Sequence, residues 1–328
     1  MGGRQRVLSG MRPTGRLHLG NFLGALENWV HLQGEYECFY FVADWHALTT
    51  EVPAKGEIAS STLEMAADWL GAGLDPARST LFVQSLVPEH AELHLLFSML
   101  TPVAWLERVP TYKEMVEQLG LQSPSYGLLG YPLLQSADIL MYKPRWVPVG
   151  VDQVPHVELT REVARRFNHL FGPVFLEPEA KLTAIPKVPG TDGRKMSKSY
   201  DNAIYLADPP EVTVPKVKTM VTDPARKRRT DPGNPEICPV FDLHRIFTPA
   251  AERAEAAHGC RTAGIGCLDC KGVLLRHLMP RLDAIRERRT GFAAHPERIR
   301  EVLSDGSTRA RVTARETLAE AKAAVGIA

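Results

Sequence analysis

Two short apolar runs, Arg6 Val7 Leu8 Ser9 Gly10 and Cys38 Phe39 Tyr40 Phe41 Val42 Ala43, are separated by a glycine-bracketed turn and an amphipathic stretch. In that stretch Phe22, Leu23, Leu26, Val30 and Leu32 recur at near-helical spacing. Strand, helix, strand opens a parallel sheet, because parallel neighbours need a crossover of helix length. A helical pattern over 56–71, then strand candidates at Thr80 Leu81 Phe82 Val83 Gln84 and Trp146 Val147 Pro148 Val149, continue the alternation. The expected class is therefore α/β, and beyond about residue 205 only helical patterns remain: Val273 to Ile285, Pro296 to Ser304 and Thr308 to Val325.

The turn itself, Pro13 Thr14 Gly15 Arg16 Leu17 His18 Leu19 Gly20 Asn21, is suited to phosphate. Backbone N–H groups at a helix start point outward and the helix dipole favours anions. Gly15 and Gly20 let a ligand approach the backbone, and His18 adds a donor on the first helical turn. Taken alone, the same residues also describe a tight strand-to-helix connection with a satisfied core imidazole. Asp44 Trp45 His46 follows the second strand on the side where parallel sheets bind ligands, so His46 reads as either a packed core histidine or a crevice residue.

A second motif lies far downstream, Gly193 Arg194 Lys195 Met196 Ser197 Lys198 Ser199. Lys195 to Ser199 together with His18 Leu19 Gly20 Asn21 resembles the paired KMSKS and HIGH-type signatures of class I aminoacyl-tRNA synthetases. That resemblance implies a Rossmann-like doubly wound parallel sheet with a C-terminal α-helical domain. It implies a catalytic domain over 1–195, with a helical dimer-interface region at about 89–125, and a KMSKS loop with an anticodon-binding domain over 196–328. The boundary is expected between about 190 and 205. His18, Lys195 and Lys198 would be catalytic. ATP would meet Arg12, Pro13, Thr14, Gly20, Asn21, Gly150, Val151, Asp152, Pro186, Met196, Ser197 and Ser199 besides the two lysines, and Mg²⁺ would travel with it. Lysines on a loop can meet negative charge as it builds on a transferring phosphoryl group, and a flexible loop would close after the substrates bind. Met196 is the sole apolar side chain between Gly193 and Ser199, so the loop is not expected to pack a core.

Gly130 Tyr131 Pro132 Leu133 Leu134 Gln135 Ser136 Ala137 Asp138 Ile139 Leu140 sets an acid among apolar residues, where it needs a partner. It is either a helix-face ion pair or an acceptor for one substrate donor. The order Tyr-Pro-x-x-x-x-Ala-Asp-Ile-Leu is similar to tryptophanyl-tRNA synthetases, in which this aspartate accepts the indole N–H. An indole N–H only donates whereas a phenol also accepts, so a lone carboxylate suits tryptophan better than the tyrosine of the sister family. The resemblance puts Asp138, Tyr131, Gln135, Gln153, His46 and Leu8 at the amino acid. Gly150 Val151 Asp152 Gln153 Val154 Pro155 His156 matches the family's Gly-x-Asp-Gln-x-x-His segment, with Asp152 at the ribose and Gln153 at the α-amino group. Two positions depart from the pattern: Gln135 stands where bacterial relatives commonly carry methionine, and Arg12 where many carry glutamine.

Four of the five cysteines, Cys238, Cys260, Cys267 and Cys270, are spaced C-x21-C-x6-C-x2-C. In a cytosolic chain such a set points to metal before disulfide, either structural zinc or an iron–sulfur cluster. A subset of tryptophanyl-tRNA synthetases carries a similar pattern around a [4Fe-4S] centre, which favours the cluster, with zinc as the alternative. Cys38, Trp69 and Trp105 read as packing residues. The net charge of +1 gives no global field for a polyanion, so tRNA would be met by local basic patches. Arg226 Lys227 Arg228 Arg229 is one candidate, with a solvated face as its plainer reading. No apolar run is long enough to cross a bilayer, and no apolar core follows Arg4 and Arg6, so a cytoplasmic protein is expected, and the resemblance implies a homodimer acting on tryptophan, ATP and tRNA(Trp). A non-catalytic relative that binds tRNA or tryptophan is the rival of a different class.

Overall fold

All five strands are parallel, in the order β3-β2-β1-β4-β5: β1 Arg6–Met11, β2 Glu37–Val42, β3 Ser79–Val83, β4 Trp146–Val149 and β5 Glu179–Leu182. A computed structural model of the chain describes residues 4–49, 53–118, 120, 122–182 and 188–327. Strand order reverses between β1 and β4, which opens a crevice at the carboxyl ends of those strands, where ligands of doubly wound sheets bind. β5 was not anticipated. Its Glu-Ala-Lys-Leu sequence lacks the β-branched and aromatic residues that mark a strand, and pairing with β4 forms it.

Side chains alternate across the sheet and feed two cores. Val7, Cys38, Tyr40, Val42, Leu81 and Val83 face one side; Leu8, Phe39, Phe41, Phe82 and Val147 face the other. After β1 comes one helical segment made of α1 Leu19–Asn21, a π-helical stretch Phe22–Leu26 and α2 Glu27–Leu32. Its Trp29 stacks on Tyr40 at 4.6 Å and meets Trp69 edge-on at 5.5 Å, so Trp69 is core, fully buried as expected. α3 Asp44–Ala47 and α4 Glu57–Ala72 lead to β3. The helical region at the second core comprises α5 Glu89–Ser98, α6 Val103–Glu107, α7 Pro110–Gln118 and α8 Tyr126–Met141, and α9 Val154–Phe171 connects β4 to β5.

From α10 Pro210–Thr219 onward the chain is helical: α11 Pro239–Phe247, α12 Ala250–Arg261, α13 Cys267–Ala293 and α14 Pro296–Val325. These helices do not stand apart from the sheet. Leu274, Leu278, Leu282 and Ile285 of α13 complete the first core, and Ala310, Ala314, Leu318 and Ala321 of α14 complete the second. Pro296 to Ser304 and Thr308 to Val325, expected as two helices, are a single helix of 30 residues. Gly306 does not break it. A Cβ there would sit 1.7 Å from the Leu81 carbonyl oxygen, so glycine lets the helix rest on the β3 backbone.

Candidate active site

His18 caps the helix that leaves β1. Its Nδ1 accepts the Asn21 N–H at 3.3 Å while Asn21 Oδ1 accepts the His18 N–H at 3.1 Å, a reciprocal capping box. With Nδ1 accepting, Nε2 carries the proton in the neutral ring. Burial, then the nearby Lys198 charge, lowers the His18 pKa to about 4. Gly20 has no room for a side chain, because a Cβ would stand 2.9 Å from His18 Cε1 and Nδ1. Gly15, at φ +80°, turns the chain in the left-handed region ahead of the cap.

The turn is held from three sides. The Leu17 N–H donates to Asp68 Oδ2 of α4 at 2.6 Å, and Asp68, fully buried, also accepts from Arg289 Nε of α13 at 2.6 Å. Leu19 N–H donates to the Ile204 carbonyl and Leu206 N–H to the Leu17 carbonyl, both at 2.9 Å. This antiparallel stitch ties the segment after the second motif directly to the first.

The second motif reaches the turn through Lys198. Its ammonium donates to the Thr14 carbonyl and lies 3.3 Å from the Thr14 hydroxyl. Burial lowers the Lys198 pKa; Asp68 opposes the shift and Arg16 adds to it. Lys195 is exposed, as is Ser199, and Ser197 Oγ accepts the Ser199 N–H at 3.3 Å. Contrary to the expectation of a loop without packing, Met196 is buried, 4% exposed, in the first core. Around it Gly190 N–H donates to the Arg194 carbonyl at 2.7 Å and Met196 N–H to the Val188 carbonyl at 3.1 Å. Asn202, 1% exposed, locks this small hairpin: its Oδ1 accepts the Ser197 N–H at 2.8 Å and its Nδ2 donates to Asp192 Oδ1 at 2.7 Å.

At the carboxyl ends of β1 and β4 lies a cavity of about 630 Å³. Leu8, Arg12, Asn21, His46, Tyr131, Gln135, Asp138, Gly150, Asp152 and Gln153 all line it, so ten of the expected site residues converge there. Gln153 Nε2 donates to Asp152 Oδ2 at 3.0 Å, and Val151 is 74% exposed beside them. Pro13, Thr14, His18, Gly20 and the Lys195–Ser199 stretch are not part of the cavity wall; they form the adjoining turn and hairpin. Pro186 lies outside the described residues.

Asp138 is not a lone carboxylate. His46 Nε2 is 2.8 Å from Oδ2, His90 Nδ1 is 2.6 Å from Oδ1, and Gln84 Nε2 donates to both oxygens at 2.8 and 2.9 Å. Burial pushes its pKa up, but the hydrogen bonds and charges of His46 and His90 outweigh that and hold it well below the usual carboxylate range. His90 in turn bonds the Tyr142 hydroxyl at 2.8 Å. An ionised carboxylate has about four lone-pair directions, and these four contacts place two on each oxygen, so a ligand donor reaches Asp138 by replacing one of them. Gln84 and His90 escaped the sequence reading. Gln84 ends a strand run, a signal that could have marked it; His90 sits in a helical stretch with nothing to distinguish it. His156 also lines the cavity, 2.7 Å from Thr111 Oγ1, which is 2.5 Å from the Tyr131 hydroxyl. Burial lowers the His156 pKa to about 4.

Among the described residues no group of three or more His, Cys, Asp or Glu side chains is arranged to hold a metal ion. Cys238 and Cys270 pack on the same Phe241 cluster, and burial, reinforced by the charges of Cys238, Cys260 and Cys267, pushes the Cys270 thiol up to about 12. Arg226 is buried rather than solvated: its guanidinium lies 3.7 Å from Cys260 Sγ and donates to the Ile265 carbonyl at 2.5 Å. Lys227, Arg228 and Arg229 of the same basic run are exposed.

The pattern of class I tRNA synthetases of the W and Y type matches residues 2–281. A tryptophan–tRNA ligase of Thermotoga maritima is 52% identical, over 98% of this chain and 99% of that protein. The chain belongs to the tryptophanyl-tRNA synthetase family. A second tryptophan–tRNA ligase, from Aquifex aeolicus, is 43% identical over 98% of this chain and 100% of its own length. A tryptophanyl-tRNA synthetase of Campylobacter jejuni, solved with ADP and tryptophan, superposes with a TM-score of 0.88 at 35% identity, covering 98% of this chain and 100% of that one. The five-stranded parallel sheet and helical C-terminal region are thus those of a class I synthetase.

Proposed function

We propose that the chain is a tryptophan–tRNA ligase: it joins L-tryptophan to ATP as tryptophanyl-adenylate with release of pyrophosphate, then transfers the acyl group to the 3′ terminal adenosine of tRNA(Trp). The observation that carries this reading is the meeting of Lys198 with the Thr14 turn beside a cavity lined by Asp138. The indole N–H would donate to Asp138 in place of one of its present donors, with Leu8, His46, Tyr131 and Gln135 around the ring and Gln153 at the α-amino group. The tryptophan carboxylate oxygen attacks the α-phosphorus, the bond to the bridging oxygen breaks, and pyrophosphate leaves with the electron pair. His18, neutral, offers its Nε2–H to phosphate oxygens, and Lys195 and Lys198 meet the charge gathering on the departing group. Arg12, Pro13, Thr14, Gly20, Asn21, Met196, Ser197 and Ser199 complete the ATP contacts, with Gly150, Val151 and Asp152 at the ribose. Mg²⁺ enters as the counterion of ATP.

Tryptophan-dependent exchange of labelled pyrophosphate into ATP tests the reading. Exchange with tryptophan and not with tyrosine is expected; exchange with tyrosine alone would make the chain a tyrosyl-tRNA synthetase, and adenylate formation with neither would favour a binding relative.

The finer features follow the same reading. The protein works in the cytoplasm as a homodimer, and exposed Leu95, Met99, Val103 and Tyr126 in the helical region near 89–125 supply an apolar surface for a second copy. A catalytic domain over 1–195 and a tRNA-binding region over 196–328 remain the working division. Cys238, Cys260, Cys267 and Cys270 hold a [4Fe-4S] cluster, with zinc the alternative. The shared packing of Cys238 and Cys270 supports this reading, a cation would relieve the repulsion among the thiolates, and the Arg226 contact with Cys260 would offset thiolate charge. When bound, the cluster supplies structural order near the tRNA-binding helices. Iron and sulfide in comparable amounts in anaerobically purified protein are expected; zinc at one per chain without iron would assign the site to zinc.

A further inference from the structure

The last helix of the chain makes a set of polar contacts with a common destination. Ser307 Oγ of α14 accepts the Val83 N–H at 3.2 Å, one residue before Gln84. Arg311 Nε and Arg315 Nε donate to Glu89 Oε1 at 2.7 and 3.1 Å, one residue before His90. Glu320 Oε2 accepts from Lys143 Nζ at 2.5 Å, one residue after Tyr142. Gln84 and His90 are donors to Asp138, and Tyr142 bonds His90. Each of the three is therefore the chain neighbour of a residue gripped by α14.

The grip is built into the backbone as well. β3 is the edge strand of the sheet and its outward groups would be open without α14. Arg309 donates to the Ser79 carbonyl at 3.3 Å where β3 begins, Ser307 takes the Val83 N–H where it ends, and Gly306 admits the Leu81 carbonyl between them. The position of β3's last residue is thus set against the helix. Glu89 is 4% exposed, opens α5, and has its Oε2 buried without a partner among the described residues. A buried carboxylate stripped of its cations is costly, so removing the arginines would shift the start of α5 rather than leave it in place. A surface ion pair would carry no such consequence, being worth little.

We propose that α14 sets the geometry of the tryptophan-recognition network, with Ser307 positioning Gln84 and with Arg311 and Arg315, through Glu89, positioning His90. This rests on Asp138 as the indole acceptor. None of the three touches the cavity; they act through the donors they hold.

The test uses the full chain with Arg311→Met combined with Arg315→Met, Arg311→Lys, and Ser307→Ala. KM values for tryptophan and for ATP are measured separately in pyrophosphate exchange, with thermal melts alongside. The double variant is expected to raise KM for tryptophan about tenfold and leave KM for ATP within about twofold, since misplaced donors weaken one substrate alone. Arg311→Lys is expected to recover most of the loss, and Ser307→Ala to shift KM in the same direction should the double variant not fold. Folded variants with unchanged KM for tryptophan, or with both KM values raised alike, would overturn the proposal. An unaltered chain that shows no tryptophan-dependent exchange would instead overturn the functional reading and this inference with it.

Discussion

The His18 imidazole occupies the space that a side chain on Gly20 would need: a Cβ at residue 20 would lie 2.9 Å from two atoms of the ring. Gly20→Ala must therefore swing the imidazole out of its capping box. Loss of one directed donor to developing phosphate charge costs about 3 kcal/mol in barrier, roughly a hundredfold in the rate of exchange. The melting temperature should fall only slightly, since α1 is three residues long. An active Gly20→Ala chain would argue that His18 does not act at the phosphates.

Lys198→Met removes the ammonium that docks on Thr14. The expected outcome is again about 3 kcal/mol off transition-state stabilisation, seen in kcat more than in KM for tryptophan. Because burial lowers the pKa of Lys198, the alkaline limb of kcat/KM for ATP should lie below the ordinary lysine value of 10.5. Activity then declines as pH rises through the lowered value, and the pH profile measures it directly.

Asp138→Asn keeps the shape and loses the charge. The amide would turn a donor toward His46, His90 or Gln84, leaving at least one buried donor unpaired at a cost of about 1–3 kcal/mol in stability. kcat/KM for tryptophan should fall by more than that for ATP. Denaturant midpoints combined with exchange kinetics separate the two effects.

His18 and His156, each lowered to about 4, stay neutral in the folded protein near neutral pH. Unfolded histidine binds its proton near 6.5, so between pH 6.5 and 4 the unfolded chain holds more protons and stability falls as pH falls. Asp138 acts in the opposite sense to an unpaired acid: its contribution persists through that window and is lost only below the usual carboxylate range. Urea midpoints across pH 4 to 7 should slope upward with pH, less steeply in His156→Phe. A flat profile would mean that the imidazoles are solvated.

Arg289→Met leaves the Leu17 N–H as the hydrogen-bond donor to buried Asp68 among the described residues. A buried acid that loses its cation costs about 3–5 kcal/mol. The melt should fall by several degrees, and exchange activity should drop further than stability alone accounts for, because Leu17 precedes His18.

Much of this arrangement was legible in the chain. The strand–turn–helix opening is carried by local spacing, whereas the pairing of the histidine-bearing and lysine-bearing motifs and the cavity residues from Tyr131 to Gln153 are legible through the family resemblance. The partners of Asp138 are not, because His46, Gln84 and His90 come from three elements separated from it by 92, 54 and 48 residues. Nor is the burial of Met196, which depends on a core assembled from distant helices. The break expected between Ser304 and Thr308 is absent for a related reason, which lies at Gly306. Local propensity marks it as a helix breaker, whereas the Leu81 carbonyl pressed against it requires the absence of a side chain.

Met196 gives the loop a fulcrum. With that side chain sunk in the core and Asn202 pinning the turn at Asp192 and the strand at Lys195 and Ser197, Lys195 and Lys198 sit on either side of a fixed point. On the proposed mechanism the two lysines would be delivered to the nucleotide as a pair. Admission of ATP and escape of pyrophosphate would then share one hairpin, anchored at Met196.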